Sequence, residues 1–137
     1  MNGFGLEFHH LGLAVRRPDA AISLLGNLQY AIGERVFDPE QNVNLILCQH
    51  RQMPAVEIIY PGNGPGPIDT YVNRHANGVV YHICFESADL SASLAAIEAA
   101  GLRPLCVSEP RPAVLFHGRS VSFYNVVGMG LIEVLGP

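Results

Sequence analysis

The distribution of apolar residues along the chain predicts short strands and two helices. Residues 8–15 and 79–85 are predicted strands, because apolar side chains alternate or run on without interruption there. Each is followed by a helical stripe of leucine, isoleucine and alanine, over residues 20–28 and 90–97. Three further strands are predicted after each helix, namely 35–38, 43–50 and 55–60, then 102–107, 120–126 and 131–135. The order β-α-β-β-β is therefore predicted twice.

Local signals predict where these elements begin and end. Asp19 is the expected N-cap of the first helix, and Ser87 or Asp89 that of the second. Gly33 is expected to close the connection after the first helix. The strongest loop signal is the PGNGPG segment of residues 61–66, with one helical turn over 67–73. A second loop is predicted for the EPRP segment of residues 109–112.

The two predicted halves carry the same polar residues at matching positions. When residues 81–85 are laid on residues 9–13, His82 falls on His10, and the last strand of each half carries a glutamate, Glu57 or Glu133. The repeat predicts one domain over residues 1–137, with a first module at about 6–62 and a second at about 78–137.

These four polar residues suit a metal site. A charged group inside an apolar strand is costly unless something pairs with it. A lone histidine or glutamate in a strand is more often a core or solvated residue, but four at matched positions favour a shared role. Two imidazoles and two carboxylates suit a divalent ion such as Co, Zn, Ni, Mn or Fe, with open positions left for substrate.

Composition and net charge limit the classes of partner that this chain is expected to bind. Hydrophobic residues make up 49% of the 137 residues and charged residues 15%, which is enough for a buried core. The net charge of −4 argues against nucleic acid and anionic membranes as partners. No apolar run spans a bilayer, and no signal peptide is visible. Three cysteines without CxxC spacing, Cys48, Cys84 and Cys106, are expected to be buried free thiols in a reducing, cytoplasmic setting.

The layout resembles the vicinal oxygen chelate superfamily, which includes glyoxalase I, extradiol dioxygenases, bleomycin resistance proteins and methylmalonyl-CoA epimerase. The resemblance implies an α+β fold of two tandem βαβββ modules whose curled mixed sheets enclose a metal-binding cleft. Ligands in that superfamily come from the first and last strands of the modules. By this resemblance the metal ligands are His10, Glu57, His82 and Glu133, with His10 preferred over His9 because a hydrophobic-small-hydrophobic run follows it.

Short segments along nearly the whole chain are similar to the methylmalonyl-CoA epimerase family in particular. They are Pro39-Glu40-Gln41-Asn42-Val43, Val56–Pro61, Gly66-Pro67-Ile68, Gly78–Phe85, Ser108–Pro112, Gly118-Arg119 and Gly130–Glu133. The resemblance implies an epimerase that moves the proton next to the carbonyl of methylmalonyl-CoA or a related acyl thioester. It also implies that Glu40 and the ligand Glu133 are the acid/base groups on opposite faces of the α-carbon, and that the protein is a homodimer.

Other functions of the same fold stay open. They are a glyoxalase-type isomerase or lyase, an Fe(II) dioxygenase with two histidines and one carboxylate, and a non-catalytic protein that sequesters an antibiotic. Antibiotic-binding relatives commonly lack the metal residues, and this chain has all four. The epimerases carry His-Pro-Lys where this chain has Tyr124-Asn125-Val126, and often glutamine at the position of Glu57, so the acyl group and its carrier stay open.

The other histidines, Arg111, Tyr124 and Asn44 are expected to lie outside the set of metal ligands. His9 is expected to face away from His10, and the histidines at 50, 75 and 117 are expected at the surface. Arg111 is expected in a loop, solvated or facing an anionic group of the substrate. Tyr124 is expected to line the cleft, and Asn44 is expected to lie two pleats further along the same face as Glu40.

Overall fold

The computed structural model describes residues 2–137, which contain eight strands and three α-helices. The strands are β1 (Leu6–Ala14), β2 (Ala31–Asp38), β3 (Val43–Gln49), β4 (Val56–Pro61), β5 (Val79–Ser87), β6 (Pro104–Pro112), β7 (Ser120–Val126) and β8 (Gly130–Leu135). The helices are α1 (Asp19–Asn27), α2 (Asp69–Arg74) and α3 (Leu90–Ala99), with a 3-10 turn at Val114–Phe116. The order β-α-β-β-β occurs twice, which confirms the predicted α+β fold of tandem modules.

The described residues form two compact units. We call His10–Tyr81 the central unit. The terminal unit joins the described residues up to His9 with His82–Pro137, so it draws on both ends of the chain. Of the helices in residues 2–137, none combines the length and the apolar composition that crossing a bilayer requires.

The central unit is a four-stranded mixed sheet with α1 on one face. Its strand order is β2-β3-β4-β1, with β1 and β4 parallel and the other pairs antiparallel. The face towards α1 buries an apolar cluster, because alternate residues of β3 and β4 point to it. The buried members of that cluster are Leu25, Tyr30, Ile46, Cys48 and Ile58.

The terminal unit repeats this plan. Its strand order is β5-β8-β7-β6, with β5 and β8 parallel and the other pairs antiparallel. α3 packs on one face over a cluster whose buried members are Leu6, Ile97, Tyr124, Val126, Ile132 and Val134. Leu6 comes from the start of the chain, whereas four of its partners lie in β7 and β8.

Strand β2 begins earlier than predicted. Gly33 does not close the preceding connection but lies inside β2, next to a register shift between Ile32 and Arg35. A Cβ at Gly33 would lie 2.5 Å from the backbone oxygen of Leu47, so only glycine fits where the two strands approach. The residue is a bulge glycine and not a helix terminator.

Strand β6 extends through the segment that was predicted to be a loop. It runs from Pro104 to Pro112 with register shifts at Cys106/Ser108 and Ser108/Arg111. β6 is the last strand of its sheet, where a proline that cannot donate to a partner strand is tolerated. The prolines therefore mark an irregular edge strand.

Two smaller expectations were also wrong. Pro18 occupies the N-cap of α1, and Asp19 lies in the first turn without a side-chain cap. Asp89 caps α3 as expected, because its side chain accepts a hydrogen bond from the backbone N–H of Ala92. All three cysteines are free thiols, but Cys106 is exposed on β6 whereas Cys48 and Cys84 are buried.

Candidate functional site

His10 and Glu57 form a buried pair in the central unit. The parallel register sets Gly12 of β1 opposite Glu57 of β4, and His10 lies two residues before Gly12 on the same face of the strand. The Nε2 atom of His10 lies 3.7 Å from the Oε1 atom of Glu57. Both side chains are excluded from water. They lie on the sheet face opposite the one that packs against α1, because Ile58 points towards the helix.

His82 and Glu133 form the equivalent pair in the terminal unit. Cys84 of β5 lies opposite Glu133 of β8, and His82 lies two residues before Cys84. The Nε2 atom of His82 is 3.3 Å from the Oε1 atom of Glu133, and both residues are buried. The offset between histidine and glutamate is therefore the same in the two units.

This repeated arrangement has a high electrostatic cost unless the charges are compensated. A buried carboxylate loses its hydration, and a neighbouring imidazole restores part of that loss when it is protonated. Breaking such a buried pair by removing one partner usually costs about 3–5 kcal/mol. The same side chains could instead bind a cation, since each pair offers an imidazole nitrogen and a carboxylate oxygen. These donor types fit a borderline divalent metal ion.

The side chains around the terminal pair include one aromatic ring that sequence analysis missed. Phe123 lies opposite Glu133 in the β7–β8 register, and its ring meets the His82 imidazole edge-on at 5.4 Å between centroids. The contact restricts the orientation of the imidazole. The local sequence contains no clear signal for this contact, because both faces of β7 carry polar and apolar residues.

Tyr124 does not lie on the face of the His82–Glu133 pair. It lies opposite Ile132 and packs in the apolar cluster beneath α3, on the other face of the sheet from Glu133. Burial raises the pKa of its hydroxyl. The expectation that Tyr124 lines a cleft beside the metal ligands was wrong by one position in the strand.

Glu40 is exposed on the turn between β2 and β3, in the central unit. Leu47, near the far end of β3, lies opposite Glu57. Glu40 precedes Val43, at the other end of that strand. Asn44 is on the opposite sheet face from Leu47 and Glu57, with Ile46 and Cys48, so it marks no polar path from Glu40 to the pair. The acid/base role of Glu40 stays a prediction.

Some of the other histidines lie where they were expected, whereas His50 and Arg111 do not. His9 packs edge-on against the ring of Phe116, and His75 and His117 are exposed as expected. His50 is half-buried, and its Nδ1 atom accepts hydrogen bonds from the backbone N–H groups of residues 52 and 53. Arg111 belongs to strand β6 and not to a loop, and it lies opposite Val121 of β7.

Comparison with known proteins adds a family and three informative relatives. Residues 9–123 match the family described as Glyoxalase/Bleomycin resistance protein/Dioxygenase superfamily. The ethylmalonyl-CoA/methylmalonyl-CoA epimerase of Cereibacter sphaeroides is 28% identical over 120 residues, covering 87% of each chain.

Solved structures of low sequence identity have the same fold. Methylmalonyl-CoA epimerase from Mycobacterium tuberculosis aligns with a TM-score of 0.75 at 19% identity, covering 97% of this chain and 87% of that one. A variant of the Streptomyces coelicolor methylmalonyl-CoA epimerase, in complex with 2-nitronate-propionyl-CoA, aligns with a TM-score of 0.73 at 22% identity. That alignment covers 96% of this chain and 94% of the Streptomyces chain.

Proposed function

The chain belongs to the Glyoxalase/Bleomycin resistance protein/Dioxygenase superfamily, and on that premise we propose that it is a metal-dependent epimerase of methylmalonyl-CoA or a related acyl-CoA thioester. The observation that carries the proposal is the repeated, buried histidine–glutamate pair, with the same strand offset in both units. The epimerase from Cereibacter supports the reaction type, and the acyl-CoA analogue bound by the Streptomyces enzyme supports the substrate class.

We propose that the two pairs together bind one divalent ion. Each pair supplies two donors, and four protein donors with open positions for substrate suit Co, Zn, Ni, Mn or Fe. The proposed ligands are His10, Glu57, His82 and Glu133. An ion held there would stabilise the negative charge that develops on the thioester oxygen when the α-proton leaves.

The protein's carboxylates then move the proton. In the proposed reaction, one carboxylate removes the α-proton, breaking the C–H bond, and a carboxylic acid on the opposite face returns a proton, forming the new C–H bond. We assign these two roles to Glu40 and Glu133. Each residue would act as the base for one epimer and as the acid for the other. One inversion leaves the base protonated and the acid deprotonated, and proton exchange with solvent then restores the starting protonation.

We further propose that the protein is a cytoplasmic homodimer. The three free cysteines support a reducing compartment. The exposed apolar side chains of Leu105 and Val107 on the irregular edge strand β6 support a protein-facing surface on the terminal unit.

The proposal is tested by following the α-proton of methylmalonyl-CoA in D₂O. Protein stripped of metal and reloaded with Co²⁺ is expected to exchange and invert this centre, whereas stripped protein is not. A His82→Ala variant is expected to lose at least about a hundredfold in rate, the scale expected when electrostatic stabilisation of an oxyanion is removed.

The matched control is His75→Ala, which removes an exposed histidine and is expected to keep the wild-type rate. Metal content is measured on each protein after reloading. Wild-type protein that takes up no ion, or a His82→Ala variant as active as wild type, would contradict the metal assignment. Metal-loaded wild type that exchanges no proton would exclude the substrate.

A further inference from the structure

The turn that carries Glu40 is held from one side by Asp38. Asp38 is the last residue of β2 and is only 6% exposed. Its Oδ1 atom accepts a hydrogen bond from the backbone N–H of Glu40 at 2.9 Å, and its Oδ2 atom accepts one from the side-chain amide of Gln41 at 3.1 Å. The backbone at Glu40 is therefore tied to a buried carboxylate at the end of a strand.

The other side of the turn is held by the glycine-rich loop, residues 62–66. Asn42 lies in the left-handed backbone region with φ 50°. Its side-chain amide donates to the carbonyl oxygens of Asn63 at 2.7 Å and Pro65 at 3.2 Å, and its own carbonyl accepts from the N–H of Gly62 at 2.9 Å. Asn42 thus joins the turn to the loop through both its side chain and its backbone.

The loop is packed too closely against the turn for any residue larger than glycine at position 62. A Cβ at Gly62 would lie 2.3 Å from Oδ1 of Asn42 and 2.9 Å from its carbonyl oxygen. The far end of the loop is also fixed, because the N–H of Gly66 donates to the side chain of Asp69 at the start of α2. α2 is anchored in turn by the buried Val72.

We propose that Asp38 and Asn42 are positioning residues for Glu40, and that the glycine-rich loop is the support against which they hold it. This inference rests on the proposed function, because the acid/base role proposed for Glu40 requires its exposed carboxylate to be held in a fixed position. A general base must lie within hydrogen-bonding reach of the proton it removes. A misplacement of about 1 Å can cost about a hundredfold in rate.

The two-base reaction offers a readout that general damage does not imitate. Without a competent Glu40, Glu133 can still remove and return a proton on its own face. One epimer then exchanges its α-proton with D₂O without inverting, the other epimer does not exchange, and inversion stops in both directions. The Glu40→Gln variant is expected to show this pattern.

Asn42→Gly and Asp38→Ala are expected to shift the enzyme towards the same pattern. Glycine accepts the left-handed backbone of residue 42, so Asn42→Gly removes the amide donor without adding strain. Inversion is expected to fall about tenfold to a hundredfold in kcat, with KM within about twofold, while one epimer keeps its exchange. Asp38→Asn retains an oxygen that can accept from the N–H of Glu40 and is expected to recover most of the inversion rate.

The matched control is Asn27→Gly, since Asn27 also donates its side-chain amide to a carbonyl oxygen, that of Ser23, at the surface of the same unit. It is expected to leave inversion and exchange unchanged. A second measurement needs no substrate: the backbone amide of Glu40 is expected to lose hydrogen-exchange protection in Asp38→Ala and Asn42→Gly, but not in Asn27→Gly.

The outcomes separate the two proposals. If wild-type protein neither exchanges nor inverts methylmalonyl-CoA, or if Glu40→Gln inverts as fast as wild type, the assignment of Glu40 fails and the positioning role fails with it. If Glu40→Gln shows the one-sided exchange but Asn42→Gly and Asp38→Ala lose exchange of both epimers equally, the function stands and the positioning role is overturned. Unchanged rates in both variants would overturn it as well.

Discussion

A one-residue difference within a strand decides whether a side chain meets the histidine–glutamate pair or the apolar core. Phe123 contacts the ring of His82, whereas its neighbour Tyr124 packs beneath α3. The sequence marks Glu133 because a carboxylate inside an apolar strand stands out. β7 carries polar and apolar residues on both faces, so its facing depends on the register with β8, which the local pattern does not encode.

Cysteine reactivity also depends on position. Cys48 and Cys84 are buried, and burial raises the pKa of Cys48, an effect partly offset by a backbone hydrogen bond with Gly33. Cys106 is exposed, and its thiol donates to the carboxylate of Glu109 at 3.4 Å. Desolvation, together with this carboxylate, raises the pKa of the Cys106 thiol.

We therefore expect Cys106 to react with iodoacetamide in the folded protein, slowly at neutral pH and faster as the pH rises towards its raised pKa. The thiolate is the reacting form, and a raised pKa lowers its fraction at neutral pH. Glu109→Gln removes the negative charge, so its Cys106 should react faster than wild type at pH 8. Mass spectrometry of native protein locates the label.

Labelling of Cys48 or Cys84 before Cys106 would contradict the burial of these thiols. Equal rates for wild type and Glu109→Gln across the pH range would exclude an influence of the carboxylate on Cys106.

At the scale of elements, the interior strands follow the sequence pattern and the edge strands depart from it. β7 has the predicted bounds, Ser120–Val126. β6 continues through Pro110 and Pro112 because an edge position removes the need for every backbone N–H to donate. Local propensity cannot reveal whether a strand lies at an edge, since that is a property of the assembled sheet.

The two modular helices differ in how they begin, which gives a direct test. Asp89→Ala removes the cap of α3 and should lower the free energy of unfolding by about 1 kcal/mol. Asp19→Ala is the matched change at α1, where the carboxylate is exposed and caps nothing. It should change stability by no more than about 0.3 kcal/mol, the lower end of a helix-dipole effect.

Chemical denaturation of both variants measures the difference. An equal loss in the two variants would show that the hydrogen bond from the N–H of Ala92 contributes nothing beyond the helix dipole.

At the scale of the whole chain, duplication was the most predictable feature. His10 and His82, and likewise Glu57 and Glu133, repeat with equal strand offsets, and the structure reproduces this in the registers of β1–β4 and β5–β8. The composition of the compact units was less predictable. A pattern of local periodicity assigns Leu6 to the first module, but it cannot show that Leu6 packs with residues of β7 and β8.

Leu6 should therefore contribute to the core of the terminal unit although it lies near the start of the chain. It is 9% exposed, and Leu6→Ala is expected to lower the free energy of unfolding by about 2–4 kcal/mol, through lost burial and the cavity left behind. Phe8→Ala, at a side chain that is 47% exposed, serves as the control and should change stability by about 0.5 kcal/mol or less.

Urea denaturation followed by circular dichroism compares the two variants. A loss for Leu6→Ala no greater than that for Phe8→Ala would contradict the placement of Leu6 in this cluster.

The terminal unit combines residues that lie far apart in the sequence, and this determines when it can fold during synthesis. Leu6 is synthesised well before Ile132 and Val134, although all three pack in the same cluster. The central unit, His10–Tyr81, is continuous and can fold while synthesis proceeds. The terminal unit can close only after β7 and β8 have been synthesised, so during translation the apolar side chain of Leu6 lacks its partners until then.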